Sequence, residues 1–204
     1  MISFGFGLTD NNNREYNKHK ELIIMKVIKD KKIAREFDEK IYKIVNPIYI
    51  TSERFWDGGI SLEASLQEKA EFYELAAKMS GVVKELLYLL NENVYIGKTY
   101  CEHYKLYAEW KDLRKFELFR EIYKRIKNRY TYQLTLPEDE GLLDMIVEAN
   151  FKYYSYITLF LPKSNIIIQP TCHSEVIIYA FDVKKIAEKL EKMSQQYPGI
   201  IIKI

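Results

Sequence analysis

The chain of 204 residues carries 31 Lys and Arg against 29 Asp and Glu, with 48% hydrophobic and 29% charged residues. Such a length and composition support a globular core and set aside disordered and fibrous classes. A net charge of +2 gives no global attraction to a polyanion. Nowhere do ~20 consecutive apolar residues occur, so a membrane-spanning helix is excluded. The start, Met1 to Leu8, lacks the basic and apolar regions of a secretory signal and runs into Asp10 and Asn11 to Asn13. Two cysteines outside any disulfide-rich pattern fit a reducing cytoplasm.

Leu22 to Ile28 is a compact Val- and Ile-containing run that predicts a strand, after which Asp30 offers a helix N-cap. Ile33, Phe37, Ile41 and Ile44 then recur at helical spacing until Asn46-Pro47 stops them. Ile48 to Ile50 reads as a short strand and Trp56-Asp57-Gly58-Gly59 as a turn. With Ser61 as its cap, a long helix is expected over Glu63 to Leu90 on the positions Leu66, Ala70, Tyr73, Ala77, Val83, Leu86 and Leu90. Ser80-Gly81 is expected to bend or weaken its middle.

Lys98 to Trp110 fits two periods, helical through Tyr100, Tyr104, Tyr107 and Trp110, and extended between Val94 and Leu106. Lys111 to Arg129 is a clear amphipathic helix on Leu113, Phe116, Phe119, Tyr123 and Ile126. Tyr130 to Leu136 alternates as a strand, Glu138 to Ala149 reads as a helix, and Phe151 to Leu161 reads as a further strand. Pro162 to Asn165 turns the chain into Ile166 to Ile168, a β-hairpin. Glu175 to Phe181 is a strand and Asp182 caps a helix on Val183, Ile186, Leu190 and Met193. Pro198-Gly199 leads into a last strand, Ile200 to Ile204. The order predicts an α+β fold, a mainly antiparallel sheet covered by several helices in one compact unit over 1–204. A division into two lobes, roughly 1–97 and 98–204, is the alternative.

Both cysteines neighbour a histidine, in Cys101-Glu102-His103 and in Cys172-His173. Thiolate and imidazole are zinc's preferred ligands, so Cys101, His103, Cys172 and His173 have the chemistry of a closed zinc site. Residues two apart share a face only on a strand, so this reading requires Lys98 to Trp110 to be extended. Ordinary buried cysteines with nearby histidines need no ion, and that plainer reading is preferred. The same four residues offer a thiol nucleophile and its base, but no third group is marked to orient the ring.

The helix over Lys111 to Arg129 carries eight Lys and Arg against Asp112, Glu117 and Glu121. Arg120, Lys124 and Lys127 are its candidate phosphate contacts, with Tyr130 and Tyr132 able to stack on bases. A solvated outer face with intrahelical ion pairs explains the same charges and is favoured in a chain so nearly neutral. The aromatic residues suggest a different use. Tyr100, Tyr104, Tyr107, Trp110, Trp56 and Tyr154 combine apolar bodies with polar tips, the kind of side chain enriched at protein interfaces. With no cofactor loop or catalytic set legible, the leading expectation is a non-enzymatic cytoplasmic protein. It would bind another protein through an aromatic-rich surface, as an inhibitor, immunity-type protein or regulatory accessory factor does, and need no cofactor. A zinc or Cys/His-dependent enzyme and a nucleic-acid binder are the alternatives.

Overall fold

The computed structural model describes residues 26–28, 39, 43, 46–54, 56, 63–96, 131–152 and 157–204. Along the chain these form β1 (Lys26–Ile28), β2 (Ile48–Ser52), α1 (Leu66–Leu90), β3 (Val94–Ile96) and β4 (Thr131–Leu134). There follow α2 (Glu140–Phe151), β5 (Leu159–Leu161), β6 (Ile166–Pro170), β7 (Val176–Ala180), α3 (Val183–Ser194) and β8 (Ile200–Lys203). The strands make one sheet in the order β1-β4-β3-β5-β6-β7-β2-β8, and every pairing in it is antiparallel. This is the α+β class that the sequence predicts. The expected helix over 111–129 and the ambiguous 98–110 lie outside the described residues, as does the expected helix over 33–44 except for Glu39 and Lys43.

Period-two alternation sets the two faces of the sheet. Ile48 and Ile50 of β2, Ile166 and Ile168 of β6, and Val176, Ile178 and Ala180 of β7 are buried in the main core with the inner faces of the helices. The opposite face places Tyr95, Phe160, Ile167 and Tyr179 side by side on β3, β5, β6 and β7. Phe160 and Ile167 are fully buried there, with Tyr179 packed against them. Burial pushes the Tyr179 phenol above its ordinary range, with the neighbouring Tyr49 adding to the effect.

Two details of α1 differ from expectation. Its N-cap is Ser65, not Ser61. Ser65 Oγ accepts the Glu68 backbone N–H, and the Glu68 carboxylate accepts the Ser65 backbone N–H at 2.8 Å, a reciprocal capping box. Three residues after Ser61 stands Ala64, which cannot reciprocate. These Ser65 bonds, with the Arg54 charge contributing, hold the Glu68 carboxyl below the usual carboxylate range. The buried stripe is also rotated from the expected one. Phe72, Leu75, Ala76, Met79, Val82, Val83, Leu86 and Leu87 face the core, while Leu66 is 87% exposed and Tyr73 is exposed. Both series have helical spacing, and the bulkier one takes the interior because it removes more apolar area from water.

Ser80-Gly81 does not break α1, which runs unbroken for 25 residues. Gly81 instead makes room for a neighbour, since a Cβ there would lie 2.8 Å from Cε1 and the hydroxyl of Tyr197, just beyond α3. The α1–α2 seam is polar at its rim. Ser80 Oγ donates to Asp144, Lys84 Nζ lies 2.7 Å from the same carboxylate, and Tyr88 OH donates to Glu140. The expected strand over Phe151 to Leu161 also differs. Phe151 closes α2, and strand pairing begins only at Leu159. Asn150, fully buried at the end of α2, donates to the carbonyls of Ile157 at 2.8 Å and Pro170 at 2.9 Å, and accepts the Ile157 N–H at 3.1 Å.

Candidate functional site around Trp56

At the end of β2 the Ser52 hydroxyl donates to the Arg54 carbonyl. Trp56 then lies against α1, its ring edge-to-face on Phe72 at 5.9 Å and 89° between planes. Its other neighbour is Arg54, whose guanidinium carbon is 5.1 Å from the indole centroid, a cation–π contact. Arg54 also pairs with the Glu71 carboxylate while its side chain stays 56% exposed. One turn further along α1, Glu74 pairs with Lys78 at 2.8 Å, and that contact holds the Glu74 carboxyl below the usual range.

These groups surround a groove of about 210 Å³. Trp56, Leu75 and Ile200 give it apolar surface, and Arg54, Glu71, Glu74 and Lys78 give it charge. The turn between α3 and β8 closes one end through Pro198 and Gly199, where Gly199 holds φ +86°. Among the described residues the buried indole Nε1–H of Trp56 has no hydrogen-bond partner. Such an unpaired donor costs about 1–3 kcal/mol, and so is seldom retained without a reason.

The Cys172-His173 pair sits close by, on the loop joining β6 to β7. Thr171 N–H donates to the Glu175 carbonyl at 2.8 Å and the Thr171 hydroxyl accepts the His173 N–H at 3.3 Å. Ser174 adopts φ 55° and donates its hydroxyl to the Trp56 carbonyl at 3.4 Å, so the loop and the Trp56 segment are joined. Cys172 is buried and His173 exposed, which puts the two adjacent side chains in different environments. Among the described residues no group of three or more His, Cys, Asp or Glu is placed to hold a metal ion. Cys101 and His103 lie outside the described residues, as do Tyr100, Tyr104, Tyr107, Trp110, Tyr154, Arg120, Lys124 and Lys127.

Of the residues singled out in the sequence, Trp56 lines the groove, whereas Cys172 and His173 do not and are tied to the Trp56 segment only through Ser174. Sequence reasoning missed Arg54, Glu71, Glu74 and Lys78. Their signal was weak but present: Glu71, Glu74 and Lys78 repeat at three and four residues on α1, beside the buried position Leu75. Among the described residues no helix is long and apolar enough to cross a membrane. Comparison with known proteins finds no matching family model, no similar curated protein and no similar solved structure.

Proposed function

We propose that this chain acts in the cytoplasm without catalysis, by binding another protein through the surface that carries Trp56. The observation supporting this reading most directly is the pairing of Trp56 with Arg54 at a groove mouth. Trp and Arg are the residue types over-represented among interface positions that dominate affinity. Tyr73 and Tyr88 are also exposed on α1, on its α2 side and away from the groove. Each has a polar partner, Lys152 Nζ lying 4.6 Å from the Tyr73 centroid and Tyr88 OH donating to Glu140, which keeps the rings in place.

Binding is tested by comparing what the immobilised wild type, Trp56→Phe and Trp56→Ala chains retain from a cell lysate, followed by titration of the purified retained protein. A stoichiometric partner whose affinity falls at least about tenfold in Trp56→Ala supports the reading, that being the scale of an interface anchor. Equal affinity for wild type and Trp56→Ala, at matched thermal midpoints, refutes it.

A further inference from the structure

We propose that the Trp56 groove is a receptor for a lysine or arginine side chain of the partner, and that Arg54 holds the position until that side chain displaces it. The inference rests on the protein-binding reading above and names the chemistry of what is bound.

A tryptophan face is the aromatic surface that attracts cations most strongly, and it does so within about 6 Å of the ring centroid. Here a cation is already in place: the Arg54 guanidinium lies 5.1 Å from the Trp56 centroid and contacts the Glu71 carboxylate. The groove also presents Glu74, whose charge Lys78 only shares. An aromatic face with two carboxylates matches an alkyl chain ending in a positive head, since the stem packs on Trp56 and Leu75 while the head meets the acids. Arg54 reaches this arrangement from its own chain with more than half of its side chain in solvent. Glu71 is less open, its side chain 28% exposed, but the Arg54 side of the ion pair and of the cation–π contact faces water, so a partner's cation can take the place by exchange. Arg54 then acts as an internal competitor, lowering apparent affinity by the fraction of molecules in which the groove is open. The same exchange frees Arg54 to pair with a carboxylate of the partner, which adds a second, charge-matched contact.

The test uses Nα-acetyl-arginine N-methylamide as the probe and its citrulline counterpart as the neutral control, titrated into the full chain. The indole N–H resonance of Trp56, assigned with Trp56→Phe, is the readout. Removing the competitor in Arg54→Ala should shift the Trp56 resonance at a probe concentration about fivefold or more below that needed for wild type. Glu71→Gln in the Arg54→Ala background should reverse most of that gain, and the citrulline probe should leave the resonance in place. Arg54→Gln repeats the experiment with a neutral side chain of similar length, should Arg54→Ala alter the thermal midpoint. The proposal is overturned if probe concentration is unchanged by both Arg54 variants, or if citrulline and arginine act alike. Partner capture separates the two readings. Capture that depends on Trp56 without any arginine response leaves the protein-binding reading standing and removes this one. Loss of both removes both.

Discussion

Replacing Asn150 with alanine should cost more stability than any other single polar substitution among the described residues. The side chain is fully buried and makes at least three bonds to backbone: two donated, at 2.8 and 2.9 Å, and one accepted, at 3.1 Å. Alanine leaves the Ile157 N–H, the Ile157 carbonyl and the Pro170 carbonyl without that partner. Each buried group so abandoned costs about 1–3 kcal/mol, and water entering the vacated space recovers part of it, so a net loss of about 3–6 kcal/mol is expected. Total stabilities are about 5–15 kcal/mol, which makes this a large share. In urea, with a slope of about 2 kcal/mol/M, the unfolding midpoint should fall by about 1.5–3 M. Far-ultraviolet circular dichroism followed through the transition measures it. A loss under about 1 kcal/mol would refute the assignment of Asn150 as the tie between α2, β5 and β6. Asn150→Asp supplies the sign test. The aspartate keeps an acceptor for the Ile157 N–H but turns a carboxylate oxygen toward two carbonyls, which raises its native pKa above the unfolded value of about 3.9. Its deficit relative to wild type should therefore be smallest below about pH 4 and grow as pH rises through the native pKa.

Three further outcomes follow from the helices. Gly81→Ala gains about 1 kcal/mol of helix propensity but drives a Cβ to 2.8 Å from Tyr197, an overpacking worth about 1–3 kcal/mol. The variant should be destabilised in wild type and stabilised by about 1 kcal/mol in a Tyr197→Ala background; equal effects in both would rule out the contact. Ser65→Ala removes the side-chain half of the capping box, the Oγ that accepts the Glu68 N–H, and should cost about 1 kcal/mol in thermal unfolding, whereas Ser61→Ala should cost almost nothing. The Tyr197 phenol is pushed up to about 12 by burial and by its 2.7 Å hydrogen bond to Glu85, and the Tyr88 phenol to about 12 by its hydrogen bond to Glu140. Since these folded values exceed the unfolded one, the stability they confer is complete below about pH 10 and lost between pH 10 and 12. Tyr197→Phe should flatten that loss, and tyrosinate absorbance should show a late-titrating fraction that shrinks in Tyr197→Phe.

How far the sequence revealed the fold depended on whether one physical signal stood alone. Ile166 to Ile168 between turn residues, and Ile186, Leu190 and Met193 behind Asp182, had no rival pattern, and β6 and α3 lie where they were expected. In α1 two stripes of helical period overlapped, and only relative bulk, visible once the sheet is present, chose between them. Phe151 to Leu161 read as one strand because its residues are mostly apolar or aromatic. The buried amide of Asn150, which ends the helix and starts a new segment, is a long-range device with no local signature. The same limit applies to the site. Trp56 stood out as an aromatic, whereas Arg54 and Glu71 are separated by 17 positions and meet only because α1 packs beside the end of β2.

The strand order has a consequence for how the chain must be made. Among the described residues β1, β2 and β3 pair only with strands drawn from 131–203, never with one another. While residues 26–96 are being delivered, none of these strands yet has its described partner, and α1 waits with Met79 and Leu86 uncovered by the sheet. The local hairpins β5-β6 and β6-β7 arrive late, ahead of only α3 and β8, and bring their own pairing partners, so they are the natural template on which the earlier strands dock from either side. A nascent chain of this order depends on protection of its leading half, and its yield in the cell should respond to chaperone supply and translation speed more than to the strength of any single contact.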